Sequence, residues 1–165
     1  MYCAKIACKI KYMLTKYEYK YYNLGEEMVI ERMHKMTAHF NRQTQTEQSL
    51  TAHSRNTAEL TASRLSSVGF RNTGYLVGLL HDLGKGTEQF NLYIHAPEEY
   101  RRGEIHHAPS GALFVYERWY SSEAARSQER LASQIIAMVI YGHHGGLMDV
   151  IAQNGEETLK KALGQ

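Results

Sequence analysis

Apolar positions recur at helical spacing along most of this chain, and glycines or polar clusters cut the recurrence into short segments. From Thr44 the pattern reads as helical. Ser49 is placed to cap a helix carrying Leu50, Thr57, Ala58, Thr61, Leu65 and Val68 toward one side, and Gly69 is placed to stop it. Tyr75 to Leu83 (YLVGLLHDL) is apolar on nearly all sides and closed by Gly84, which predicts a short buried helix with His81 and Asp82 in its last turn. Thr87 can cap EQFNLYI, and the charged stretch from Pro97 to Glu104 is expected to be a surface loop. Pro109 suits the first turn of a helix running to about Trp119. A long helix from Glu123 to Tyr141 should turn Leu131, Ile135, Met138 and Val139 inward and end at GHHGG, residues 142–146; a small helix is expected over Glu156 to Leu163. No strand alternation persists for more than a few residues, so the expected fold class is all-α.

Residues 1–35 have a different texture. Six of the twelve tyrosines fall between Tyr2 and Tyr22, mixed with five lysines. Cys3, Ile6, Ile10, Met13 and Tyr17 recur at helical spacing among those lysines, a pattern compatible with a basic amphipathic helix. The plainer expectation is an appended leader lying outside the domain, with Met33 or Met36 as alternative starts and residues 36–165 as the domain itself. The net charge of +2 belongs to this leader: residues 1–35 hold seven Lys/Arg against four Glu, and residues 36–165 hold twelve against thirteen acids. Basicity is therefore no argument for nucleic-acid binding by the domain. The two cysteines, Cys3 and Cys8, lack partners for a zinc ribbon and fit a reducing cytoplasm. The start is broken by lysines and resembles no signal peptide, and no apolar run approaches the ~18 residues of a membrane span. At 165 residues the chain has room for one domain and none for an ATP-driven motor.

The chemistry lies in nine histidines. His81-Asp82 ends an apolar segment, where an unpaired carboxylate would cost several kcal/mol or more. Lys85, three residues on, could neutralise it as a plain salt bridge. His53 on the preceding helix, His106 and His107 before Pro109, and His143-His144 after the long helix all fall near helix ends or turns, and none fits an apolar stripe. Such a set beside one Asp points to a metal centre. Structural zinc takes closely paired ligands, whereas these come from separate segments that converge only on folding, which suits a site open to substrate. So many imidazoles exceed the needs of one tetrahedral ion; two divalent ions bridged by Asp82 is the economical arrangement. A His-rich set favours Mn, Fe, Co, Ni or Zn over Mg, and two such ions serve hydrolysis of a phosphate ester.

The stretches QSLTAH (48–53), LLHDLGKGTEQF (79–90), HAPSGA (107–112) and GHHGGL (142–147), in this order, resemble the motifs of the HD-type nuclease domain of the CRISPR type I helicase-nuclease, also found as a stand-alone subunit. TAHFNRQTQTEQSL (37–50) resembles that domain's opening, and the likeness runs from about residue 37 to 149. HD by itself is common to many phosphohydrolases; the HDLGK, HxxxGA and GHHGGL combination is more specific. The resemblance implies an HD helical bundle with His53, His81 and Asp82 at a first metal. Asp82 would bridge to a second ion held by His107, His143 and His144, and Lys85 would neutralise charge on the scissile phosphate. His81, Asp82 and Lys85 are thus the candidate catalytic groups. His106 is a neighbour without a ligand role; His39 occurs in the opening pattern with no role to assign; His34 and His95 read as surface residues.

That family continues past GHHGGL to deliver a last Asp to the first metal. Here Asp149, Glu156 and Glu157 are the acids after the motif, and Asp149 comes too soon to match. The domain is accordingly expected to be C-terminally short. The resemblance further implies single-stranded DNA as substrate, with a separate helicase subunit and the Cascade surveillance complex as partners and no membrane. Aromatics that could stack on bases, such as Tyr93, Tyr100, Trp119 and Tyr120, are expected to pack in the core instead. Two alternatives share the metal site: an HD phosphohydrolase of nucleotides or cyclic dinucleotides, and a metal-binding interaction module without turnover.

Overall fold

The computed structural model describes residues 36–101, 104–121 and 126–164. The basic leader, with its candidate amphipathic helix, Cys3, Cys8 and His34, lies outside the described residues, as does the expected start of the long helix at Glu123. In chain order the described elements are strands β1 (Thr37–Asn41) and β2 (Thr46–Ser49), then helices α1 (Leu50–Ser66), α2 (Arg71–Leu80), α3 (Glu88–His95), α4 (Ala108–Val115), α5 (Ser127–Gly142) and α6 (Thr158–Ala162). Short 3-10 turns occupy Leu83–Gly86 and Pro97–Glu99, and a π-helical turn over Tyr116–Tyr120 extends α4. No described helix is long and apolar enough to cross a membrane.

The expected helical class holds, with one addition. Residues 37–49, expected to be helical from Thr44, form an antiparallel hairpin instead. Asn41 explains the turn: its side-chain oxygen accepts the backbone N–H groups of Gln43 and Thr44, and such local capture competes with a helix. The hairpin is moored to α3 by Thr37 N–H to Asn91 Oδ1 (3.3 Å) and by Arg42, which donates to the His95 carbonyl (3.1 Å) and pairs with Glu98 (2.6 Å). Glu47 accepts from Thr37 Oγ1 at 2.8 Å and faces His95 Nε2 at 3.1 Å.

Ser49 ends β2 and caps α1, its hydroxyl accepting the Ala52 N–H. The buried positions of α1 are Leu50, Ser54, Ala58 and Ala62, one per turn, whereas Leu65 and Val68, expected inward, are exposed. The reason is α2. Gly74 and Gly78 let its backbone come against Ala58, Thr61 and Ala62, and Thr61 Oγ1 donates across the crossing to the Gly74 carbonyl (2.6 Å). A contact made by the smallest side chains leaves the larger ones at its edge. α2 itself starts at Arg71 and stops at Leu80, so His81 is its C-cap and Asp82 lies just past it, not in its last turn.

The core cluster runs from Leu80 and Leu83 through Ala112, Phe114, Val115 and Tyr116 of α4 and its extension to Ile136, Ala137 and Ile140 of α5, closed by Leu159 and Leu163. Each fully buried Leu or Ile contributes about 1.5–3 kcal/mol. On α5 the inward face is Ser133, Ile136, Ala137 and Ile140; Leu131, Ile135 and Val139, expected to be buried, are 60%, 49% and 37% exposed, and Met138 is partly buried. The spacing found the right helix and a face rotated by one position. Trp119 and Tyr120 pack against the core, and Tyr93 and Tyr100 meet edge to face at 5.6 Å.

Two glycines fix how closely the central elements approach. A Cβ on Gly84 would overlap the backbone of His107, and one on Gly111 would overlap the Leu80 carbonyl. Because the obstacles are backbone atoms, side-chain rotation cannot relieve them. Gly111→Ala should therefore lose at least the ~1–3 kcal/mol typical of an overpacked core, measured by urea unfolding. A second expectation concerns pH. The Asn91 carbonyl and then Glu47 hold the His95 imidazole above its ordinary value of about 6.5. A raised folded value means that this contribution is fully present below pH ~6.5 and lost as pH rises through the folded value. His95→Gln should flatten that part of the pH profile of thermal stability, and an NMR titration of His95 should give a midpoint above 6.5.

Candidate metal centre

Asp82 is the centre of the site. It is 2% exposed, and two imidazoles and one ammonium close on its Oδ2: His53 Nε2 at 2.9 Å, Lys85 Nζ at 2.9 Å and His81 Nε2 at 3.1 Å. Its Oδ1 faces His107 Nε2 at 3.3 Å and His143 Nε2 at 3.5 Å, yet receives no hydrogen bond and is the described side-chain atom left buried and unpaired. An acceptor stranded in this way costs about 1–3 kcal/mol, more for a charged group. Burial pushes the Asp82 carboxyl up, but the rings of His107, His143 and His81 and the Lys85 ammonium outweigh it and hold the carboxyl far below the usual carboxylate range.

The fold brings the imidazoles in from separate elements. His53 comes from α1, His81 from the end of α2, His107 from the residue before α4, and His143 and His144 from the turn after α5. Gly84 is what allows the chain bearing His107 to touch the segment bearing Asp82. His107 Nε2 and His144 Nε2 are 2.7 Å apart, and His53 Nε2 and His81 Nε2 are 3.2 Å apart. In each pair one ring nitrogen must carry a proton unless a cation takes its place. His81 and His143 aim Nδ1 at the carbonyls of Gly78 (2.9 Å) and Ile140 (2.6 Å). A carbonyl only accepts, so Nδ1 carries a proton in each ring and Nε2 is the nitrogen turned toward Asp82, the one that serves a metal in its unprotonated form. Burial also lowers the pKa of His53 and His144, favouring the neutral ligand form, while Asp82 raises that of His143.

Two donor groups result, sharing Asp82. One is Asp82, His107, His143 and His144; the other is His39, His53 and Asp82, each with its ligand atoms within 4.8 Å of one another. His81 lies between them. His53, His81, Lys85, His107, His143 and His144 are thus brought to one carboxylate, whereas neither group takes in His106, Asp149, Glu156 or Glu157. The last two pair with Lys161 and Lys160, and the Asp149 carbonyl accepts the Thr158 hydroxyl. His106 is exposed. The donor chemistry, imidazole nitrogens around one ionised carboxylate with an unpaired oxygen, fits divalent transition ions.

Lys85 is buried, donating to the Ala38 carbonyl (3.4 Å) as well as pairing with Asp82, so its charge acts first on Asp82. Phe90 lies under both sides of the centre, 5.6 Å from the Lys85 ammonium and 5.2 Å, edge to face, from the His107 ring. Phe90, the Ala38 carbonyl and His39 are the parts that the motifs left without a role. Phe90 stood inside LLHDLGKGTEQF and was the one with a signal. The Ala38 contact depends on a backbone turn that composition does not report.

A small helical domain that gathers five imidazoles from four segments onto one buried carboxylate has the build of a metal-dependent phosphohydrolase. Residues 50–162, more than half of the chain, match the family model of the HD domain, and the chain belongs to the HD-domain family, whose members are generally metal-dependent hydrolases. Searches of curated proteins and of solved structures found no match. The β1–β2 hairpin lies outside the matched residues.

Loading the protein with Mn²⁺ or Co²⁺ should bind two ions per chain and raise its thermal midpoint, by an amount equivalent to ~2.7 kcal/mol per ion at a hundred times its Kd. Asp82→Ala should abolish both uptake and shift; His144→Ala should retain one ion. Elemental analysis with calorimetry checks all three.

Proposed function

We propose that this chain is a metal-dependent DNA nuclease of CRISPR interference, hydrolysing phosphodiester bonds mainly in single-stranded DNA that a separate helicase exposes on target-bound Cascade. The observation that carries the hydrolase part is the stranded Oδ1 of Asp82 among converging ring nitrogens. What supports DNA rather than a nucleotide is the ordered set HDLGK, HAPSGA and GHHGGL and its resemblance to the helicase-associated nuclease.

His53 and His81 with Asp82 would hold one ion and His107, His143 and His144 with Asp82 the other, Mn, Fe, Co, Ni or Zn being suited to them better than Mg. When bound, such a pair supplies an activated water and stabilises the attacking and leaving oxygens of a phosphoryl displacement. The protein's own contribution is placement. Lys85 and the imidazoles keep Asp82 ionised against the cost of its burial and fixed in one orientation, and the Gly78 and Ile140 carbonyls lock two rings with Nε2 inward. The described part of the domain is close to neutral and holds a strand delivered to it, so the charge that captures DNA belongs to the partner.

The test is cleavage of single-stranded DNA in Mn²⁺, Co²⁺ or Ni²⁺ beside a panel of nucleotides and cyclic dinucleotides. We expect His81→Ala and Asp82→Ala each to abolish DNA cleavage and deletion of residues 1–32 to leave it intact. Turnover of nucleotides with intact DNA would replace the nuclease reading by a nucleotide phosphohydrolase. Metal uptake without turnover of either substrate would make the domain a binding module.

A further inference from the structure

We propose that His39, from the hairpin, is a protein ligand of the first metal position, beside His53 and Asp82. The argument begins with the β1–β2 ladder. Thr37 pairs with Ser49 and His39 with Gln48, so Ala38 is an extra residue, a bulge that disrupts the ladder. The bulge buries Ala38, 1% exposed, beside the equally buried Thr37, and it turns the Ala38 carbonyl toward the Lys85 ammonium. His39 follows directly. Its ring meets that of His53 edge to face at 4.7 Å, and one of its nitrogens falls within 4.8 Å of the ligand atoms of both His53 and Asp82.

A histidine on an exposed strand position ordinarily points to water. Here the bulge and its moorings to α3 hold it against the one buried carboxylate of the site. Among the described residues the other donor group has four members and this one has three with His39, two without it. An ion at His53 and Asp82 with no third close donor other than the intervening His81 would be under-supplied; counted with His81, His39 brings the set to four, the size its neighbour has. The hairpin that carries His39 lies outside the residues that match the HD family model. The inference rests on the metal reading of the site and is independent of DNA as the substrate.

Mn²⁺ binding by calorimetry and equilibrium dialysis tests it, in the His144→Ala background so that the first position is read alone. His39→Ala should weaken that binding by at least about tenfold, the lower end of what loss of a supporting partner does at metal sites. His39→Asp, which restores a donor of different shape, should recover most of it, whereas a residue that only packed the hairpin would not be rescued by a carboxylate. Far-UV circular dichroism and a thermal melt of the metal-free variants check that the hairpin stays folded. Unchanged Mn²⁺ affinity in His39→Ala, or an Asp variant no better than Ala, would overturn the proposal. Two bound ions in the parent protein without DNA cleavage would defeat the nuclease reading and leave the His39 result standing.

Discussion

One ionised carboxylate, buried and short of a hydrogen bond, constrains the rest of this molecule. Asp82 at 2% exposure would not remain charged without the imidazoles and the ammonium around it. Each of those partners is carried by a different piece of backbone, so the cost of burying the charge is offset only when α1, the end of α2, the approach to α4 and the turn after α5 are all in place. The site and the fold are coupled through that single charge. Even so, Oδ1 is left over, and a protein that only needed a stable core would do better with an apolar side chain there.

Around that charge the protein divides its labour between two sides. On Oδ2 lie Lys85, His53 and His81, with Lys85 itself braced by the Ala38 carbonyl. On Oδ1 lie His107 and His143, with His144 beside His107. Phe90 underlies both, and the apolar cluster from Leu80 to Ile140 carries the two segments that meet at the site. Each side has one ring tied at its second nitrogen to a backbone carbonyl of its own helix, His81 on the Oδ2 side and His143 on the Oδ1 side.

Much of this was legible in the sequence, for identifiable reasons. Caps act locally, so Ser49 and Thr87 gave their helix starts correctly, and the histidines stood out because no apolar stripe accounts for them. Burial was less legible. Leu65 on α1 and Val68 just past it, and Leu131, Ile135 and Val139 on α5, have the right spacing for a core but lie outside it, because glycine and alanine set the α1–α2 contact and Ile136, Ala137 and Ile140 take the inner face of α5. Hydropathy alone does not rank alternative faces of one helix. The hairpin was missed since Thr, Gln and Glu carry no apolar alternation, and its stability comes from Asn41, Arg42 and Glu47 contacts made partly across the fold. His39 went unassigned with it, its neighbours being set by a bulge.

The crossings at Gly84 and Gly111 have a consequence for how such a site can change over time. They set the spacing between the His107 segment and the Asp82 segment by main chain lying on main chain, with the Ile140 side chain beside the Gly111 crossing. Substitutions in the apolar cluster other than at Ile140 alter volumes without entering that contact, so most of the core is free to drift while the positions of the donors stay put. Donor identity and donor position are then separate variables: the atoms presented to an ion can be exchanged one residue at a time on a frame whose dimensions two glycines keep constant.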